Sequence, residues 1–352
     1  MEFHVMTASL NHRWCVGIDL HKDTLTACTY CACCGEESYR RIACKCRDQI
    51  AEFFTSLPRP HTVAIEAVGF YRWLWEMLDP IVEELVLADA TQARALAGRR
   101  IKTDREDAFN IAELLSAGRL PRSYAPTAEV QILRDLTRHR NGFSRQHARV
   151  LCRVKSIMNA NNRPGPTRMR SDGLIRYVKG QGTKLPARHV EMLWNCVDHL
   201  TLTERQIDET ERAIETALRH QAFRDVYPIL LSFPGVAMVA AGTIIAEVGD
   251  FARFTDRKAI GRFAGLNPTV YASAGKQRTG RIAKAGSRSL RWILLQSVWT
   301  AYRTDDHVRS ILLRIAKRSG RKAAAVAMAR KMLTWMWAAI VHNEPYRGVQ
   351  AV

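Results

Sequence analysis

Five side chains in this sequence have the types and spacing to act on a phosphodiester. Asp104 and Asp107 lie three residues apart in IKTDREDA, residues 101–108, at the start of an expected helix. That spacing puts both carboxylates on one helix face, close enough to share a cation. The stretch also reads as a plain helix start. Thr103 followed by Glu106 is a capping box, and acids in a first turn complement the helix dipole. Asp19 ends the strand-like run WCVGID, and Glu66 ends the apolar run VAIE. A carboxylate in an apolar strand is costly unless it is paired or metal-bound. Each has an ordinary explanation of its own, Asp19 as a cap for the turn at His21-Lys22 and Glu66 as partner to an arginine. Four carboxylates gathered at one corner, however, repel unless divalent cations neutralise them. Hard oxygen ligands select Mg2+ or Mn2+. Two such ions at a phosphodiester activate the attacking oxygen and stabilise the leaving one. The fifth residue is Ser273, in ASAG, followed by Lys276, Arg278, Arg281, Lys284, Arg288 and Arg291. A hydroxyl in that setting can attack a phosphodiester while the cations stabilise the transition state. Serine is also a common turn residue between small neighbours.

The elements that must position the acids can be read from periodicity. Trp14–Asp19 and Thr24–Tyr30 read as strands, Gly35-Glu36 as a turn and Ser38–Cys46 as a third strand. Asp48–Leu57 has helical spacing, His61–Ala67 is a buried-strand run, Tyr71–Leu78 is helical and Glu84–Ala88 returns to strand. A meander followed by alternating helices and strands predicts an α/β domain around a mixed sheet, residues 1–125. Adjacent strand ends then bring Asp19 and Glu66 together, and the helix from Asp104 lies over the same corner.

Beyond it the pattern is helical. Thr127–Asn159 carries an apolar stripe and a face of Arg134, Arg138, Arg140, Arg145, Arg149, Arg153 and Lys155. Such a face either follows a phosphate backbone or is simply solvated. Residues 161–186 read as a basic, Pro/Gly-rich loop and a mobile nucleic-acid contact. A second helix over residues 187–220 has a heptad seam at Leu193, Val197, Leu200, Glu204, Ile207, Glu211, Ile214 and Leu218. A helical hairpin and an intermolecular coiled coil both fit that seam, and self-association is the reading preferred. FPGVAMVAAGTIIAEVG resembles a helix-hairpin-helix segment, with Ala237 in place of the usual second glycine. A simple packed helical hairpin fits it as well. Ser287 is expected to cap a helix, and two more helices, about residues 306–318 and 322–342, complete an all-α C-terminal region. Boundaries are expected at 126–224 for the long helices and 225–352 for the C-terminal part.

Composition limits the partners. The 352 residues carry 53 basic against 34 acidic side chains, a formal charge of +19. A basic excess spread through the chain points to nucleic acid. The first residues lack a basic start followed by an apolar core, so no secretory signal is read. The uncharged run over residues 228–246 is long enough for a membrane span. Its Pro234-Gly235 break and Gly/Ala content read instead as two short buried helices, with no membrane partner. Of nine cysteines, six fall between Cys28 and Cys46. With no export signal, reduced thiols are expected. Cys28, Cys31, Cys44 and Cys46 offer zinc-like pairs on adjoining strands, against the plainer reading of a cysteine-rich hairpin.

The motifs VGIDLHKDT, VAIEAVG and KTDREDA, followed by FPGV, AEVGDFARF, AIGRFAGLNP and ASAGKQRTGRIAKAGSRSLR, together resemble a known family. They are similar to the DEDD-type insertion-sequence transposases (the "IS one-ten" family), the bridge-RNA-guided recombinases, and to the related pilin-segment invertases. The resemblance implies a RuvC-like, ribonuclease-H-type domain whose acidic tetrad falls on Asp19, Glu66, Asp104 and Asp107 and binds Mg2+. It implies a catalytic serine at Ser273, in Ser273-Ala274-Gly275 where the family more often has Ser-Gly. It further implies a covalent serine–DNA intermediate and a homo-oligomer, dimer or tetramer, with composite active sites. A structured guide RNA would pair with double-stranded donor and target DNA. The cysteine cluster has no counterpart in that pattern. The expected function is a mobile-element DNA recombinase acting at the nucleoid in the bacterial cytoplasm. The alternatives are a RuvC-like structure-specific nuclease using water and a non-catalytic nucleic-acid-binding protein.

Overall fold

The computed structural model describes residues 14–97, 103–273, 276–283 and 286–348; at residue 97, at 270–273, at 276–279 and at 281 it describes the backbone alone. The chain divides into two compact units, one ending at Ala125 and one beginning at Pro126.

The first unit contains β1 (Trp14–Leu20), β2 (Thr24–Cys31), β3 (Glu37–Ala43), α1 (Arg47–Thr55), β4 (His61–Glu66), α2 (Arg72–Leu78), β5 (Glu84–Ala88), α3 (Ala90–Ala97) and α4 (Asp104–Ser116). The strands form one mixed sheet in the order β3-β2-β1-β4-β5. β1, β2 and β3 pair antiparallel, while β1–β4 and β4–β5 are parallel. Side-chain alternation explains its two covers. Val16, Ile18 and Leu20 join Val63, Ile65 and Leu87 against Ile50 and Phe54 of α1 and Leu74 and Leu78 of α2. The intervening Cys15, Ala64 and Val86 meet Ile111, Leu114 and Leu115 of α4. At Gly17 the sheet has no side chain at all. A Cβ there would lie 2.2 Å from the Ala108 carbonyl oxygen and 2.6 Å from the Ala112 nitrogen. The α4 backbone therefore rests directly on β1, an approach that only glycine permits.

The second unit contains α5 (Ala128–Ala160), α6 (Ser171–Gln181), a 3-10 turn, α7 (Ala187–Leu218), α8 (Val226–Leu231), α9 (Met238–Val248), α10 (Arg257–Phe263), β6 (Pro268–Ser273), β7 (Lys276–Ile282), α11 (Arg288–Thr304) and α12 (Asp306–Val341). Four expectations are corrected here. First, the region read as a loop holds α6, because Leu174 and Val178, one helical turn apart, join Leu193, Val197 and Leu200 of α7 in one core. Second, the α7 seam is occupied within the chain. α5 and α7 pair side by side, and the two polar positions of the seam are satisfied there: Arg140 donates to Glu211, and His147 lies 3.1 Å from Glu204. Third, the C-terminal region is not all-α. Two strands join across a two-residue connection, with Ser273 opposite Lys276 and Tyr271 opposite Arg278. Thr269, Val270 and Tyr271 favour strand, a preference masked in the sequence by the surrounding Gly, Ala and Ser. Fourth, residues on both sides of 224 share a core: Val130, Leu133, Ile214 and Leu218 pack with Ile244, Leu294 and Met328.

α8 and α9 are the two short helices joined at Pro234-Gly235. Gly235 has φ +76°, and a Cβ on it would lie 2.2 Å from the Ser297 carbonyl oxygen of α11. The turn is thus wedged against α11. α12 is long and apolar enough by composition to cross a membrane. It breaks at Gly320 (φ 77°), and its Ala325, Met328, Met332 and Leu333 are core residues of the unit.

Candidate functional site

The acidic corner lies in the first unit and follows from the sheet register. β1 and β4 run in register to the pair Ile18–Ile65. The next residues, Asp19 and Glu66, therefore stand side by side at the carboxyl ends of neighbouring parallel strands. Alternation turns them away from the α1/α2 core, toward the face that α4 covers. Gly17 lets α4 settle on that face, so its first turn, with Asp104 and Asp107, comes over the same strand ends. Thr103 caps the helix by accepting a hydrogen bond from the Glu106 amide at 3.2 Å. The capping reading and the site reading of IKTDREDA thus hold together: the cap fixes where α4 begins, and the start of α4 carries the acids.

Asp19 is 2% exposed and Glu66 8%. The Asp19 Oδ2 atom is buried and accepts no hydrogen bond of normal geometry. His21 Nε2 stands 3.2 Å from it and 3.2 Å from Asp104 Oδ1. Asp19, His21 and Asp104 each offer a ligand atom within 4.8 Å of one another. Burial pushes the Asp19 carboxyl up to about 7; His21 works against that, and Glu66 and Asp107 add to it. On the other side, Arg94 of α3 donates to Glu66 Oε1 at 3.3 Å, and Arg41 of β3 reaches Asp104 Oδ2 at 3.5 Å. A small cavity of about 20 Å³ opens between Glu66, Arg94, Asp107 and Asn110, room for about one water-sized sphere. Asn110 Oδ1 is buried without a hydrogen-bond donor.

This donor set fits a hard divalent cation. It is carboxylate-rich, and two buried oxygens, of Asp19 and Asn110, lack donors in a place where a cation would satisfy them. The sequence reading names His21 only as part of a turn and gives Glu66 an arginine partner without identifying Arg94, which fills that role; Asn110 is absent from it. Asn110 continues the three-residue ladder of Asp104 and Asp107 along α4, which was a usable signal. His21 follows Asp19 by two residues, and sequence gave no hint that its ring reaches across to Asp104.

The zinc set is not assembled. Cys28 and Cys31 are on β2, while Cys44 and Cys46 follow the end of β3 that pairs with Thr24. The antiparallel register sets Ala43 opposite Thr24, so Cys44 lies some five residues along the hairpin from Cys28 and eight from Cys31, about 16–26 Å at strand rise. Cys28 is buried beside Ala108 and Ala112, and Cys44 donates to the His21 carbonyl oxygen.

In the second unit, Ser273 ends β6, and Lys276, Arg278 and Arg281 lie on β7; all four are described by backbone alone, and Lys284 lies outside the described residues. Ser287 caps α11, accepting from the Leu290 amide at 3.1 Å. Arg288 is exposed at the first turn of α11. Arg291 instead donates to the carbonyl oxygens of Ala264 and Gly286. The basic face of α5 also splits. Arg134 donates to the Ala246 carbonyl oxygen, Arg138 grips Glu247 with two bonds of 2.8 and 2.9 Å, and Arg140 holds Glu211. Arg145, Arg149, Arg153 and Lys155 are exposed. A cavity of about 290 Å³ lies between α5 and α11, lined by Asn141, Arg145, Arg288 and Trp292. Trp292 is 42% exposed and was not singled out from sequence.

Family models match stretches of both units. A transposase model of the DEDD IS110 type matches residues 16–161, and the model described as "Transposase IS116/IS110/IS902 family" matches residues 227–313. A transposase for insertion sequence element IS1111A of Coxiella burnetii is 24% identical over 350 residues, 94% of this chain and 91% of that protein. A putative transposase, y4qE, of Sinorhizobium fredii is 25% identical, covering 75% of this chain and 71% of its own. The pilin gene-inverting protein of Moraxella bovis is 26% identical over 80% of each chain. Two family models in the expected order, with relatives matching along most of their lengths, make this chain a member of the IS110 family of transposases.

Proposed function

We propose that the chain is a recombinase of a mobile element that cleaves and exchanges DNA strands with a divalent metal and a serine nucleophile. The observation that carries this is the placement of Asp19, Glu66, Asp104 and Asp107 at one corner by β1, β4 and α4. The sheet order, with three antiparallel strands continued by two parallel ones, supports a ribonuclease-H-type, RuvC-like reading of the first unit. Asp19, Glu66, Asp104 and Asp107 would hold Mg2+ or Mn2+, which supplies charge neutralisation at the scissile phosphate. Arg94 and Arg41 balance the carboxylates when no cation is bound. His21 orients Asp19 and Asp104.

Ser273 is the proposed nucleophile. Its hydroxyl loses a proton as Oγ bonds to phosphorus, and the 3′ oxygen of the cut strand leaves as a hydroxyl. A 3′ hydroxyl of the new strand then displaces Oγ, so the phosphodiester count is conserved and no ATP is consumed. The cations that follow Ser273, with Arg145, Arg288 and the exposed face of Trp292, suit a nucleic-acid backbone and a stacked base. A structured guide RNA choosing double-stranded donor and target DNA, and composite sites in a dimer or tetramer, complete the proposal. A water-using nuclease is the second reading, and the observation that favours it is an imidazole, His21, standing 3.2 Å from both Asp19 and Asp104 at the acidic corner, where a water would be oriented. The two separate on one experiment. Labelled element-end DNA incubated with Mg2+ should become covalently bound to the wild-type chain and not to Ser273→Ala. Full cleavage by Ser273→Ala would establish the nuclease.

A further inference from the structure

The cysteines left without a role regroup at the tip of the β2–β3 hairpin. Cys31 ends β2, and Cys33 and Cys34 lie in the turn. Their three Sγ atoms fall within 4.8 Å of one another, with Cys31 and Cys33 at 2.9 Å. The turn holds them there by its own backbone. The Gly35 amide donates to the Cys31 carbonyl oxygen and the Cys31 amide to the Glu36 carbonyl oxygen, both at 2.9 Å. Gly35 takes φ +72° to close it. Glu36, exposed beside the three sulfurs, has its Oε2 3.9 Å from Cys34 Sγ and is the carboxylate at hand to complete the set by a side-chain rotation.

We propose that Cys31, Cys33, Cys34 and Glu36 form a zinc site. Three thiolates and a carboxylate are a tetrahedral Zn2+ donor set. At Zn–S bonds of about 2.3 Å, tetrahedral sulfurs lie about 3.8 Å apart, so the present cluster needs shifts of only a fraction of that spacing. Zinc binding releases the thiol protons and closes the turn; Cys33 and Cys34, both exposed, would otherwise be open to oxidation. The site is separate from the acidic corner: Asp19 pairs with Thr26, five residues up β2 from Cys31, about 17 Å at strand rise.

The test uses the full chain, purified with reductant, loaded with Zn2+, dialysed against a weak chelator and analysed for metal. About one zinc per chain is expected, retained by Cys44→Ser, Cys46→Ser and Asp104→Ala and lost by Cys33→Ser and by Cys34→Ser. Circular dichroism would establish that each variant is folded. Co2+ in place of zinc should show intense tetrahedral bands with thiolate charge transfer, shifted by Glu36→Gln. A folded wild-type chain that retains no zinc, or zinc retained by Cys33→Ser/Cys34→Ser, would overturn the proposal. Loss of the metal on Cys44→Ser would do the same.

Discussion

Gly17 of β1 and Ala108 of α4 meet backbone to backbone: a Cβ on Gly17 would sit 2.2 Å from the Ala108 carbonyl oxygen. That contact sets the height of α4 above the sheet, and hence the distance from Asp104 and Asp107 to Asp19. Gly17→Ala should lift α4. The overpacking is expected to cost about 1–3 kcal/mol in chemical denaturation. Strand cleavage should fall by about 100-fold, since a displacement of order 1 Å at a reacting centre costs that much. Wild-type cleavage by a folded Gly17→Ala chain would show that α4 height does not matter.

Asp19 gives a pH signature. Its carboxyl is held at about 7 in the fold, against an ordinary 3.8. A raised folded value means the native state keeps a proton that the unfolded chain has lost. Its stabilising contribution is therefore full below about pH 4 and is lost as pH rises to about 7. In metal-free buffer, Asp19→Asn should flatten that part of the stability–pH curve. Added Mg2+ should raise the melting temperature most at and above pH 7, where the carboxylate is charged. A wild-type curve that rises from pH 4 to 7 as steeply as that of Asp19→Asn would contradict the assignment.

Much of the first unit was legible because its strands alternate and its buried runs are short. β1, β4 and the cap at Thr103 sit within a residue or two of where periodicity puts them. The corner was legible because Asp19 and Glu66 interrupt apolar strands. What lay hidden depends on packing between distant segments. Leu174 and Val178 make a helix of a Pro/Gly-rich stretch only because α7 offers them a core. The α7 seam looks intermolecular until α5 covers it. The cysteine grouping turns on hairpin register: spacing pairs Cys31 with Cys28, whereas the turn pairs it with Cys33.

Register of charge also separates structural from binding arginines. Arg138 clasps Glu247, whose side chain is 2% exposed. Arg138→Ala removes the two-bond partner of that buried carboxylate and leaves it only Ser287 and the nearby Arg134, so a loss approaching the roughly 3–5 kcal/mol of a broken buried pair is expected in unfolding free energy. Arg138→Met with Glu247→Leu should recover much of it. A loss no larger than that of an exposed arginine would remove the structural role.

Arg149 and Arg153 are the contrasting case. Each is exposed on α5, and each alanine variant should keep wild-type stability. If they meet phosphates, each should lower the slope of log affinity against log salt for DNA or RNA by about one. Unchanged slopes for both would make this face merely solvated.

The most direct test of the acidic corner is Mg2+-dependent cleavage of element-end DNA by Asp104→Ala, measured beside its nucleic-acid affinity. Asp104 is partly exposed, with 37% of its side chain accessible, so its removal should leave the fold intact. The expected result is loss of cleavage with binding preserved. Cleavage at the wild-type rate would contradict the assignment of Asp19, Glu66, Asp104 and Asp107 as the metal-holding centre.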